Sequence, residues 1–89
     1  IPGSFSLEQN YPNPFNPVTN INFSLPKSGS IKLTIMNITG REILTLINGS
    51  YSAGTYKIDL DASQLASGVY FYRLQTSVFT QTRKMILIK

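Results

Sequence analysis

The sequence contains no cysteine, no histidine and no tryptophan. Without cysteine there is neither a disulfide framework nor a thiolate metal site. Without histidine the usual general base and the commonest metal ligand are gone, and the two absences together exclude nucleophilic triads and zinc sites. Acids are scarce too: Glu8, Glu42, Asp59 and Asp61 make up the whole Asp+Glu count of 4. A glycosidase needs two acids across a cleft, and an 89-residue chain has little room to build one. No glycine-rich phosphate loop is present. No apolar run approaches the ~18 residues that span a bilayer. Ile1-Pro2-Gly3-Ser4 lacks the basic start and hydrophobic stretch of a signal peptide. The expectation is a non-enzymatic domain with no cofactor and no stable membrane insertion. Its export signal, if it is exported, would lie on an upstream portion.

What remains is the composition of a folded domain: 42% hydrophobic, 11% aromatic and only 13% charged. A chain of this size buries roughly 60% of its unfolded surface, enough for one core of modest stability. The net charge is +4, but Lys27, Lys32, Arg41, Lys57, Arg73, Arg83, Lys84 and Lys89 are scattered. A phosphate-tracking surface needs a clustered stripe, so these cations read as solvated faces and nucleic acid is not an expected partner.

Short apolar segments recur about every ten residues, broken by Gly, Asn, Pro and Ser, which is the spacing of an all-β sandwich. Seven strands are expected, over Phe5–Gln9, Thr19–Leu25, Ser30–Ile38, Glu42–Ile47, Gly54–Leu60, Gly68–Thr76 and Phe79–Ile88. Several alternate as a half-buried sheet does. Ile31, Leu33 and Ile35 oppose Lys32, Thr34 and Met36; Tyr56, Ile58 and Leu60 oppose Thr55, Lys57 and Asp59; Tyr70, Tyr72 and Leu74 oppose Phe71, Arg73 and Gln75. No helix is expected. Asn37-Ile38-Thr39-Gly40 sets a glycine where a hairpin needs positive φ. Pro26 to Gly29 connects the second and third strands, Asn48-Gly49-Ser50 opens a loop that closes at Ala53-Gly54, and Thr76-Ser77 leaves a tight final hairpin.

Some segments carry more than generic strand chemistry. In Asn10-Tyr11-Pro12-Asn13-Pro14-Phe15-Asn16-Pro17 each proline fixes its own φ and keeps its predecessor out of the helical region. This gives a stiff, extended connector, with Asn10, Asn13 and Asn16 capping its kinks and Tyr11 and Phe15 anchoring it in the core. Asp59 and Asp61 share a strand face, but without further acidic ligands they suit a turn better than calcium. Asn22, Asn37 and Asn48 match a glycosylation acceptor pattern built from residues common in turns. Tyr70-Phe71-Tyr72 divides between both sheet faces, which leaves Phe71 beside Arg73 as a surface patch. Met85-Ile86-Leu87-Ile88 is apolar on both faces and flanked by Arg83, Lys84 and Lys89. Either both faces of that strand are covered or the Ile86 and Ile88 row waits for a partner, with the cations as gatekeepers against aggregation.

Leu7-Glu8-Gln9-Asn10-Tyr11-Pro12-Asn13-Pro14-Phe15-Asn16-Pro17, followed by Thr19, Ile21 and Phe23, resembles the opening of the type A C-terminal sorting domain of the type IX secretion system. Ser67-Gly68-Val69-Tyr70-Phe71-Tyr72-Arg73-Leu74 and the terminal Lys84-Met85-Ile86-Leu87-Ile88-Lys89 resemble its later blocks in order, so the likeness spans residues 7 to 89. The proline-rich string is its most specific part. Leu60-Asp61 stands where related sequences often carry Trp-Asp or Trp-Asn, a core variant. The resemblance implies an immunoglobulin-like β-sandwich over residues 7–89, preceded by a linker that runs into the first strand at residues 1–6. It also implies a fused upstream passenger, periplasmic transit and delivery to the cell surface or medium of a Gram-negative bacterium. The implied partners are an outer-membrane translocon and a surface sorting peptidase. Cleavage would fall near or before Ile1 to Ser4, and the passenger would then be joined to a surface lipopolysaccharide. The recognition elements carried over are Lys84, Met85, Ile86, Leu87, Ile88 and Lys89, with Gly68, Val69 and Tyr70. From another class, an accessory carbohydrate-binding or spacer module on a polysaccharide-degrading enzyme shares the same fold logic.

Overall fold

A computed structural model describes residues 2–89 of the chain. Its strands are β1 (Ser6–Leu7), β2 (Val18–Leu25), β3 (Gly29–Met36), β4 (Glu42–Tyr51), β5 (Gly54–Asp61), β6 (Gly68–Gln75) and β7 (Thr80–Leu87). All pairings between them are antiparallel. They form a three-stranded sheet in the order β1-β2-β5 and a four-stranded sheet in the order β4-β3-β6-β7. No helix occurs among the described residues. This is the all-β sandwich that the spacing predicts, with the strand order of an immunoglobulin-like domain that carries an extra edge strand, β4, beside β3.

The core follows from the period-two pattern. Ile21, Phe23 and Leu25 from one sheet meet Leu33, Ile35, Tyr72, Leu74, Met85 and Leu87 from the other, all at or near zero exposure. Near the start of β6, Tyr70 donates its hydroxyl to the Ala66 carbonyl at 2.6 Å, the tyrosine-corner arrangement of immunoglobulin-like folds. Two residues on, where such folds often carry a disulfide cysteine, stands Tyr72, fully buried.

Several details differ from the sequence expectation, each for a local reason. The first strand is only Ser6–Leu7, although pairing with β2 resumes through Glu8 N–H to Asn22 O and an isolated bridge between Tyr11 and Asn20. Asn48-Gly49-Ser50 lies inside β4, paired with Ile31 and its neighbours, so the loop expected there shrinks to Ser52 and Ala53. Registers slip between Leu33 and Thr34 and again between Ile35 and Met36, leaving Leu46 and Ile43 of β4 as extra residues. Thr34 and Met36 do face away from the core, yet both are buried, because β3 is central and side chains from β4 and β6 close over them. The hairpin at Asn37–Gly40 forms as expected. Asn37 Oδ1 accepts from Thr39 N–H, Thr39 Oγ1 and Arg41 N–H, and Gly40 takes a φ of 88°. Asp61 Oδ1 accepts from Ser63 N–H at 2.9 Å, the turn-starting role expected of it.

Candidate recognition surface

β7 is a strand because Thr80–Leu87 pairs residue for residue with β6, from Gln75 opposite Thr80 to Gly68 opposite Leu87. Its other edge has no strand beside it in the four-stranded sheet. Such an edge ordinarily leaves N–H and C=O groups open. The proline-rich segment occupies it. Phe15 N–H donates to Ile86 O and Ile88 N–H donates to Phe15 O, both at 2.9 Å, forming a parallel bridge between Phe15 and Leu87. Asn13 Oδ1 accepts from Ile86 N–H, also at 2.9 Å. Further along, Gln9 Nε2 donates to Lys84 O at 2.7 Å, and Arg83 Nε donates to Leu7 O. The segment is therefore a strap along the exposed edge as well as a connector.

Phe15 is 2% exposed and anchors the strap, as expected. Tyr11 does not: it is 78% exposed, because its bridge to Asn20 sets it on the outside of the three-stranded sheet. The second anchor is polar. Asn10 is buried, its Nδ2 donating to Thr19 Oγ1 at 3.0 Å and to Pro12 O at 3.1 Å, and Thr19 Oγ1 also bonds Pro12 O at 2.9 Å. From the opposite sheet Tyr72 reaches in, its hydroxyl accepting from Asn10 N–H and donating to Glu8 O, each at 2.7 Å. Burial pushes the Tyr72 phenol above its ordinary value, because the charged form loses its water. Asn10 caps a kink as expected, whereas Asn13 serves the strand edge. The sequence signal for the Tyr72 hub was weak, since a tyrosine on a core-facing position reads simply as packing.

The expected recognition residues separate by face. Met85, Leu87 and Tyr70 point into the core and are buried. Lys84 is exposed, Ile86 half-buried and Ile88 exposed at 53%, so the outward row of the strand remains partly open to solvent. Val69 pairs with Ile86 and Phe71 with Lys84, which extends that row onto β6. Gly68 opens β6 opposite Leu87. Lys89 turns back toward the fold, its N–H donating to Ser67 Oγ at 3.0 Å and its Nζ to Ser63 O at 2.5 Å. No group of three or more metal-ligating side chains occurs among the described residues.

A strapped immunoglobulin-like sandwich with a basic-flanked apolar row on its edge strand is the class that this fold and this face define. Residues 9–89 match the model of the secretion system C-terminal sorting domain, and the chain belongs to that family. It is the family that the proline-rich string, the Gly68-Val69-Tyr70 block and the terminal block resemble. Comparison with curated proteins and comparison with solved structures each returned no match.

Proposed function

We propose that this domain carries an upstream passenger through the periplasm and across the outer membrane by docking, as a folded and non-catalytic unit, onto the type IX translocon. A surface peptidase then cuts near or before the Ile1 to Ser4 stretch, of which Ile1 lies outside the described residues. The observation that carries this reading is the outward side of β7. Lys84, Ile86 and Ile88 stand at the surface of a strand whose opposite side, Met85 and Leu87, is locked into the core. Recognition thereby requires the folded domain, since unfolding scatters the row. Met85, Leu87 and Tyr70 act by holding it in place. Lys84 supplies an exposed cation, while Lys89 contributes through its bonds to Ser63 and Ser67 as well as its charge.

The test is a periplasm-targeted fluorescent protein fused ahead of this domain in a bacterium that has type IX secretion. Fluorescence should reach the surface or the medium and be lost in a strain without the translocon. In the same fusion, Lys84→Ala with Lys89→Ala should reduce export at unchanged thermal unfolding. Full export of that folded double variant would remove the two lysines from the recognition set.

A further inference from the structure

The outer faces of the two sheets differ in kind. On the three-stranded sheet the residues that alternate away from the core are mainly polar: Asn20, Asn22 and Ser24 on β2, Thr55, Lys57 and Asp59 on β5. On the four-stranded sheet the corresponding positions include Val69, Phe71, Ile86 and Met36, adjoining one another through the pairs Val69–Ile86 and Met36–Phe71. Adjacent apolar positions on an outward sheet face, with Val69, Phe71 and Ile86 half-buried, mark an interaction surface. The charges around them are unequal. Among the described residues Glu42 is the single carboxylate side chain on this face, and it is shared between Lys32 at 3.4 Å and Arg73 at 3.3 Å. Lys84, directly opposite Phe71, has no ion-pair partner among the described residues. Thr34 Oγ1 and Arg73 Nε, side by side in the β3–β6 pairing, are buried without hydrogen-bond partners.

We propose that this outer face, centred on Val69, Phe71 and Ile86, is a docking surface for a folded protein whose own apolar patch is rimmed by carboxylates. The proposal rests on the sorting reading and names the chemistry of the partner. Three features select that occupant. An extended peptide adding to β7 is excluded where it would need the backbone of Ile86 and Ile88, because Asn13 and Phe15 already hold those groups. A second copy meeting the same face would oppose two surrounds of the same net sign, each with Lys32, Arg73 and Lys84 against Glu42, and like net charge opposed across an interface is costly. A half-buried apolar centre with a cationic surround complements an apolar patch with an acidic rim, which steers encounter and fixes orientation.

The fluorescent fusion tests the surface directly, with Ile86→Glu and Lys84→Glu on the proposed face and Val18→Glu on the opposite sheet, where Val18 is 48% exposed. Purified domains are first checked for unchanged thermal unfolding, and Lys84→Glu covers the case in which Ile86→Glu fails to fold. The expected result is a loss of surface fluorescence of roughly tenfold or more for the face variants, the scale of a central docking residue, and none for Val18→Glu. Export of both folded face variants at the wild-type level, while the wild type still requires the translocon, overturns the docking face and leaves the sorting reading standing. A wild-type fusion that stays in the periplasm overturns both. Binding of the purified domain to vesicles bearing lipopolysaccharide, lost in the same face variants, would replace the protein partner with an anionic glycolipid.

Discussion

The two edges of the four-stranded sheet are protected by different means. At β7 the edge is closed by the strap, through backbone and side-chain bonds at Ile86 and Ile88 and through bonds from Gln9 and Arg83 lower down. At β4 no strand among the described residues pairs with the free side of a ten-residue strand that has one charged residue, Glu42. Its protection is geometric: the extra residues Ile43 and Leu46 bulge and twist the first half of the strand. A bulge discourages any pairing partner, while the strap, running from Leu7 to Phe15, protects one edge only. The sequence invests its most distinctive segment in holding β7, the strand that carries the outward row.

The comparison breaks most completely if β7 is removed. Deleting Thr80–Lys89 takes away Met85, Leu87 and the strap's backbone partners on the four-stranded sheet, Ile86 and Ile88. Loss of the folded state is expected, seen as collapse of amide dispersion in a heteronuclear NMR spectrum. Phe15→Ala leaves β7 in place but empties the strap's anchor. With Phe15 2% exposed, a cost of about 3–5 kcal/mol is expected in denaturant unfolding. A cost under about 1 kcal/mol would show that the strap is held by its polar bonds alone.

Tyr72→Phe comes next, because it strands the buried Asn10 N–H and the Glu8 carbonyl. A loss of about 1–3 kcal/mol is expected. The same hydroxyl has a pH signature. Its proton is held more tightly in the folded state, so its contribution is fully present below the unfolded pKa of about 10 and is lost as pH rises through the higher folded value. The wild type should therefore lose stability faster than Tyr72→Phe above about pH 10, and parallel alkaline limbs would contradict the raised pKa. Asn13→Ala is smaller, about 0.5–1.5 kcal/mol for one bond at the surface, with faster hydrogen exchange confined to the Ile86 amide and its neighbours. Asn48→Lys, exposed on the regular half of β4 and opposite Lys32, should cost no more than about 1 kcal/mol. Its effect should appear instead as reduced self-association at high concentration by light scattering, since a lysine on an open edge opposes pairing.

The sandwich was legible because its signals are local. The alternation at Tyr56-Ile58-Leu60 and Tyr70-Tyr72-Leu74, and the turn at Asn37–Gly40, each depend on a few adjacent residues. The misjudged positions depend on distant ones. Tyr11 and Phe15 look alike in a proline-rich run, and only the register that brings Phe15 to Leu87 and Tyr11 to Asn20 separates them. Asn48-Gly49 reads as a turn by composition, but pairing with Ile31 and Lys32 holds it in a strand. Asn13 and Tyr72 gain their roles from partners more than sixty residues away in the sequence, Ile86 for the first and Glu8 for the second. For the Ile86 and Ile88 row the sequence admits two alternatives, covered or open. Its exposure is decided by the strap, which covers the edge of β7 and leaves its face free.

The strap and the strand it grips are joined by bonds that span 71 to 76 residues of sequence. Neither half of that clasp is finished until the other has been synthesised. Contacts of such long reach close late in folding, after local hairpins such as β3–β4 have formed. A chain broken anywhere between them presents a loose end in place of the assembled face. Sorting that reads this face would thereby audit the integrity of the polypeptide, admitting only molecules made through to the last turn of the clasp.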